Sequence, residues 1–142
     1  MATTRVRWRL GILLLVGSGA CAGAMMAGAD GDRLLAGTWG GEHVALIVTD
    51  AGAHVEFDCA FGDISQPLTI DSDGRLAVEG VYVQERGGPV REGEEPARKP
   101  ARYSGRLSGQ TLTFEVTLIE SNETVGSFTV ARGVTPRVRK CL

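Results

Sequence analysis

Apolar and polar residues alternate with a period of two along most of the chain after residue 30. The clearest stretches are 55–61, where Val55, Phe57, Cys59 and Phe61 share one face, and 111–118, where Phe114 is central. This period predicts half-buried β-strands, with one face on a core and the other in water. Weaker alternation predicts strands at 44–49, 68–71, 75–84, 101–107, 125–132 and 137–141.

Short runs rich in Gly, Asp, Ser and Asn separate these strands, as expected for hairpins. Gly80 lies where the apolar parity changes from Leu76 and Val78 to Val81 and Val83, which predicts a bulge or a sharp bend. The predicted fold class is all-β, an antiparallel meander of seven to eight strands. A small barrel, closed or partly open, would remove the exposed edges of such a meander.

One connection, residues 85–100, is much longer than the others. Its three prolines and many charged residues exclude an interior strand. Loops of this length in compact domains are often functional or mobile, so it is interpreted either as a solvated flap or as a lid over a ligand. Only Val90 and Ala97 offer apolar contact, and the loop is therefore expected to be the most mobile internal segment.

Residues 1–29 have the pattern of an export signal rather than of a folded element. Three arginines precede a short apolar run at 10–16, and small residues with several A-x-A matches follow. Cleavage after Ala24 or Ala29 would release the rest of the chain. The run from Ser18 to Cys21 also resembles the bacterial lipobox, which implies acylation of Cys21 and a membrane tether through it. An uncleaved anchor is the third interpretation, since residues 10–29 carry no charge.

The charge that remains after this segment is acidic. Residues 30–142 carry twelve basic and seventeen acidic residues, a net charge of −5. An acidic domain of this kind does not accumulate on a phosphate backbone, so nucleic acid is not an expected partner. About 113 residues are enough for a single domain at 30–142.

The cysteines complement this small domain. If Cys21 is removed or acylated, Cys59 and Cys141 remain as a pair in an exported chain, which predicts a disulfide. The alternative is a reactive thiol at Cys59. It has no CxxC partner and would be exposed to oxidation outside the cytoplasm.

Gly37-Thr38-Trp39 opens the first predicted strand of the domain. It resembles the G-x-W start of lipocalins and the GTW start of avidin-type barrels. The resemblance implies an eight-stranded barrel whose Trp closes one end and whose interior binds a small ligand. Such an interior would use Trp39, Phe57, Val83 and Phe114. The run from Gly40 to His43 departs from both families.

The sequence contains few other candidates for catalytic or metal-binding residues. His43 and His54 are the only histidines, and Glu42, Glu56 and Asp58 lie near them in sequence, but no metal-binding motif is present. Alternation places both imidazoles towards solvent. No nucleophile motif surrounds any serine. The sequence therefore predicts no catalytic residue, no metal and no cofactor.

The whole chain also resembles the small exported β proteins of unknown function found in bacteria. That resemblance rests on the signal, the opening from Gly37 to His43, the pair Cys59 and Cys141, and the arginine-rich end. We expect an exported, non-enzymatic cell-envelope protein, periplasmic or extracellular, that binds a small ligand or an exported partner. The alternatives are a structural or interaction module tethered through Cys21, without a ligand cavity, and a hydrolase with an unrecognised site. A cavity between Phe57, Val83 and Phe114 would favour the ligand, and a filled core would favour the module.

Overall fold

A computed structural model describes residues 31–142, and the predicted signal segment 1–29 with Cys21 lies outside them. The described chain is all-β. Eight antiparallel strands form a closed barrel in the order β10-β2-β3-β4-β5-β7-β8-β9, and β1 pairs with β6 in a separate two-stranded sheet. The strands are β1 (Asp32–Arg33), β2 (Gly37–Gly41), β3 (Val44–Val48), β4 (Ala53–Phe57), β5 (Ala60–Ile64), β6 (Thr69–Ile70), β7 (Arg75–Gln84), β8 (Arg98–Ser108), β9 (Thr111–Leu118) and β10 (Thr124–Arg132).

This architecture confirms the predicted antiparallel meander and shows that the barrel is closed. Each barrel strand pairs with the next barrel strand in sequence, and β10 returns to β2. Because β10 pairs with β2, the sheet closes on itself and has no free edge strand. The described residues contain no helix long and apolar enough to cross a membrane.

The prediction of one strand over 55–61 is wrong. Strand β4 ends at Phe57, Asp58 and Cys59 form a tight turn, and β5 begins at Ala60. Cys59 adopts a φ of 53° in this turn. The turn changes which residues face the core: Ala60 is buried, whereas Phe61 stacks on the ring of His54 on the outer face. The apolar alternation in the sequence nevertheless continues through the turn, because Cys59 lies in the turn and Phe61 is apolar although it faces outward, and this explains the error.

The predicted irregularity at Gly80 takes another form. The register between β7 and β8 is continuous from Arg75 to Val83, so no bulge occurs. Gly80 faces the barrel interior, where an added Cβ would lie 2.5 Å from the carbonyl oxygen of Asp63. The glycine therefore permits close approach of β5. Because the parity of β7 is unbroken, Tyr82 faces the core and Val83 faces outward.

Two predicted boundaries also need correction. Strand β8 begins at Arg98, three residues before the predicted start, so the long loop covers only residues 85–97. We call this loop the flap. The predicted last strand at 137–141 is not a strand; Arg137 makes one parallel bridge to Glu42. The remainder of the chain, residues 133–142, is called the tail.

The core lies inside the barrel. Its largest completely buried side chains are Trp39 and Tyr103. The indole Nε1 of Trp39 donates a hydrogen bond to the carbonyl oxygen of Leu35, 3.0 Å away. The Tyr103 hydroxyl donates to the carbonyl oxygen of Val81 at 2.7 Å, crossing Gly62, where any side chain would meet the hydroxyl. This bond links β8 to β7 across the interior.

Candidate functional site

The barrel interior is the ligand site that the sequence predicts, and aromatic side chains pack against one another inside it. The ring of Phe128 lies 4.7 Å from that of Phe57 and 5.8 Å from that of Phe114, centroid to centroid. Tyr82 packs on the other side of Phe57 at 5.7 Å. Phe128, which is half-buried like Tyr82, thus packs between the two phenylalanines that the sequence assigned to a ligand site. Contacts of this kind are those of a packed core.

Three of the four candidate lining residues share the barrel core, and the fourth, Val83, does not. Trp39, Phe57 and Phe114 belong to the core cluster and are almost completely buried. Val83 is also buried, with an exposed fraction of 0%, but on the outer side of β7, opposite Phe61 and Arg98. Sequence reasoning missed Phe128 because β10 carries only weak alternation.

A row of six charged side chains crosses the outer face of the barrel, and we call it the charged row. His54 is at its centre: Nδ1 lies 2.6 Å from Asp63 Oδ1 and Nε2 lies 2.7 Å from Glu56 Oε1. Alternation places all three on the outer face of β4 and β5. At one end of the row Arg98 donates to Asp63 at 2.9 Å.

The other end of the charged row reaches the tail and the flap. The Lys140 ammonium contacts Glu56 Oε2 and lies 3.2 Å from Glu85 Oε2. It also donates to the carbonyl oxygen of Ala60 at 3.3 Å. The row therefore joins β4, β5, the start of β8, the tail and the base of the flap.

The pKa shifts in the row favour its fully charged state. Partial burial lowers the pKa of His54, but hydrogen bonds to Asp63 and Glu56 outweigh burial and the net shift is upward. Partial burial raises the pKa of Glu56, and the Lys140 and His54 hydrogen bonds outweigh it, so the pKa is lowered. The hydrogen bond from His54, opposed by burial, lowers the pKa of Asp63. For Lys140, burial is outweighed by the two glutamates and the pKa is raised.

This geometry limits what His54 can do. As an imidazolium it donates from both ring nitrogens, so it has no lone pair for a metal or for a substrate proton. Among residues 31–142, no group of three or more His, Cys, Asp or Glu side chains is arranged to hold a metal ion. Neither His43 nor His54 forms a hydrogen bond to a hydroxyl or thiol in this part of the chain.

The charged row makes the stability of the protein depend on pH. Its histidine stabilises the fold at low pH, and its carboxylates stabilise the fold at high pH. The raised pKa of His54 means that its contribution is complete below the unfolded value of about 6.5 and is lost as pH rises through the folded pKa. The lowered pKa values of Glu56 and Asp63 mean that their contributions are present above their unfolded values and are lost as pH falls. We expect the thermal midpoint to decline on both sides of a maximum.

The variant His54→Gln should remove the decline that follows the titration of His54 and keep the acid decline, and the decline at much higher pH from Lys140 should remain. Thermal unfolding followed by circular dichroism across the pH range would measure both. An NMR titration of the His54 ring gives a direct check, because a midpoint below that of a free histidine would contradict the geometry.

The tail runs back along the outside of β2 after a reversal at Gly133. It passes so close to Gly40 that an added Cβ would overlap the carbonyl oxygen of Val134. Further on, the amide of His43 donates to the carbonyl oxygen of Arg137 at 2.7 Å, and the Arg137 amide donates to Gly41 at 3.0 Å. The run from Gly40 to His43, which departs from the lipocalin and avidin patterns, is therefore the docking site of the tail.

The three carboxylates that lie near the histidines in sequence, Glu42, Glu56 and Asp58, each contact the tail. His43 Nδ1 lies 2.5 Å from Asp58 Oδ2, and Asp58 Oδ1 accepts the amide of Arg139 at 2.7 Å. Glu42 accepts from the Arg137 guanidinium at 2.8 Å. The bond from the Arg139 amide is the main cause of the lowered pKa of Asp58.

The tail ends in a covalent bond. Cys59 and Cys141 form the predicted disulfide, 82 residues apart in sequence. It ties the tail to the turn between β4 and β5, not to a strand as predicted, because Cys59 lies in that turn.

The flap begins beside this disulfide. The amide of Glu85 donates to the carbonyl oxygen of Cys59 at 2.8 Å. A Cβ on Gly87 would lie 2.6 Å from the carbonyl oxygen of Leu142, so the glycine allows the flap to touch the end of the tail. Residues 86–97 are all exposed, and Val90 is 72% exposed.

The two arms of the flap border a partly open cavity of about 460 Å³. The first arm supplies residues 86–90 and the second supplies residues 94–97, and Gln84 of β7 and Lys99 of β8 complete the lining. Two shallower depressions of about 430 and 540 Å³ flank Asp63 and Arg98 on the barrel wall. The flap cavity is the one bounded on two sides by the same loop.

Comparisons with protein-family models, curated proteins and solved structures find no match to this chain.

Proposed function

We propose that the protein is an exported, non-enzymatic component of the cell envelope that binds an exported partner through the flap and the adjoining tail. The filled barrel interior carries this proposal. With Phe128 between Phe57 and Phe114, the interior is packed as a core, and recognition is assigned to the outside of the barrel.

The flap is the outer feature best suited to this role. In residues 31–142 it is the longest segment without a strand, and it projects from a closed barrel. Loops supported by a rigid scaffold are the usual place for binding residues. The tail, the disulfide and Lys140 hold its base. Its position is therefore set, while its surface stays accessible.

Export rests on the first 29 residues and on the disulfide. An apolar run behind three arginines is typical of a secretory signal, and a disulfide persists in an oxidising compartment. Cleavage near Ala24 or Ala29 would give a soluble form, and acylation of Cys21 would tether the same module to a membrane.

Site-specific photo-cross-linking in intact cells tests this proposal. A photoreactive amino acid at Val90, on the flap, is expected to give a discrete cross-linked species that contains one exported protein. The matched control is Leu35, an exposed aliphatic residue just before β2, at the end of the barrel opposite the flap. Equal cross-linking at the two positions, or none at Val90, would reject the flap as the binding surface. Native mass spectrometry that finds a retained apolar small molecule would reject the filled interior.

A further inference from the structure

The cavity within the flap contains charged groups of both signs. Arg86 and Lys99 line it as cations, and Glu94 and Glu95 line it as anions. In the part of the chain that the structure describes, none of these four side chains forms an ion pair. Their charges are therefore available to a ligand.

The charged residues next to the cavity form ion pairs, unlike those that line it. Glu85 pairs with Lys140 at 3.2 Å, and Arg98 pairs with Asp63 at 2.9 Å. These two ion pairs hold the points at which the flap leaves and rejoins the barrel. Charges at the base of the flap are thus used within the protein, whereas charges around the cavity are not.

Two prolines and one turn also restrict the backbone of the flap. Pro89 and Pro96 each fix a backbone φ, one in each arm. The amide of Glu94 donates to the carbonyl oxygen of Arg91 at 3.1 Å, which closes a turn between the arms. Ordering of this kind reduces the entropy lost when a ligand binds.

The lining determines the class of ligand. Two glutamates oppose a phosphate, and the few apolar residues, Pro89, Val90, Pro96 and Ala97, offer too little surface for a lipid chain. A short peptide segment that carries one cation and one anion matches both signs and the apolar wall. The volume of about 460 Å³ is within the usual range for small-ligand sites.

We propose that the flap cavity binds a short extended peptide segment of mixed charge, with its cation on Glu94 and Glu95 and its anion on Arg86 and Lys99. This inference rests on the proposed function, since it names the part of the partner that the flap recognises. The source is either a loop or end of an exported protein or a free peptide of the envelope.

The test is an NMR titration of the exported, disulfide-bonded protein with two blocked tripeptides. The probe is acetyl-Lys-Ala-Glu-amide, and its neutral counterpart is acetyl-Gln-Ala-Gln-amide. The charged peptide is expected to shift the amide signals of residues 86–99 and to saturate. The neutral peptide should bind about tenfold more weakly or not at all, a factor that corresponds to one well-placed charged contact.

Variants separate the cavity from general electrostatics. The pair Glu94→Gln and Glu95→Gln should weaken binding of the charged peptide about tenfold and leave that of the neutral one unchanged. The matched control is Asp73→Asn with Glu115→Gln, which removes the same two negative charges from exposed positions outside the flap, and it should keep full affinity. Shifts spread over the barrel, equal binding of both peptides, or no saturation would overturn the proposal.

The outcome also separates this inference from the proposed function. If the tripeptide does not bind the wild-type protein while Val90 cross-links to its partner in both the wild type and the Glu94 and Glu95 variant, the flap binds a partner without using the cavity for peptide. If the tripeptide binds as expected while Val90 gives no cross-link, the cavity serves a free peptide. The first result overturns the inference, and the second supports it with a free peptide as the source.

Discussion

Replacing Cys59 by serine is expected to destabilise the protein more than any surface substitution. The disulfide closes a loop of 82 residues, and the chain-entropy model assigns about 4–5 kcal/mol to a loop of that length. For a domain of this size, we expect the thermal midpoint to fall by roughly 15–25 °C. Serine has nearly the shape of cysteine and meets the same φ of 53° at this turn, so the change isolates the covalent bond.

Urea unfolding of Cys59→Ser, Cys141→Ser and the double variant would measure this effect. The three should be nearly equally destabilised, and all three should match the wild type after reduction. The tail keeps several hydrogen bonds without the disulfide, among them the bond from the Arg139 amide to Asp58. A double variant as stable as the oxidised wild type would show that these bonds suffice to hold the tail.

Phe57→Ala is expected to cost about 3–5 kcal/mol, as large-to-small changes at packed aromatic positions do. Phe57 is buried and contacts the rings of both Tyr82 and Phe128, so its removal leaves a void that the closed barrel cannot readily collapse. The free energy of unfolding from urea titrations measures the loss.

Phe61→Ala provides a matched control for this change. Phe61 lies four residues away and is also a phenylalanine on a barrel strand, but it is only half-buried, against His54 on the outer face. It should cost much less than Phe57→Ala. Equal effects would mean that the interior is loosely packed, and the argument for recognition on the outside of the barrel would lose its basis.

The fold class was predictable because a period of two is a local property. Each of the runs 44–49, 75–84, 111–118 and 125–132 contains its strand almost completely. The turns between them contain residues that favour reversal of the chain. Eight such strands with one apolar face each have few ways to bury those faces, and a closed meander is one of them.

The predictions were wrong where the apolar pattern along the sequence disagrees with the pairing of the strands. Across 55–61 the alternation continued through a two-residue turn, and only the pairing of Phe57 with Ala60 shows that the chain reverses there. At Gly80 the change in apolar parity suggested a bulge, but the continuous register puts Tyr82 inside and Val83 outside. A buried valine outside the core has no signature in a single sequence.

The charged row could not be predicted from the sequence. Asp63, Arg98 and Lys140 had no motif around them, and they meet His54 and Glu56 only because β4, β5, β8 and the tail converge on one face. The flap cavity could not be predicted either. The composition of the loop is read directly from the sequence, but the distance between its two arms is not.

The sequence by itself determined the β class, the pairing of Cys59 with Cys141 and the position of the long loop, because periodicity, cysteine number and composition are properties of neighbouring residues or of simple counts. The tertiary structure alone decided that Phe128 packs between Phe57 and Phe114, that the run from Gly40 to His43 receives the tail, and that a single row of charges links the tail to the flap. Those contacts join residues up to 95 positions apart, and their geometry depends on strand register and on barrel closure, which no local pattern encodes.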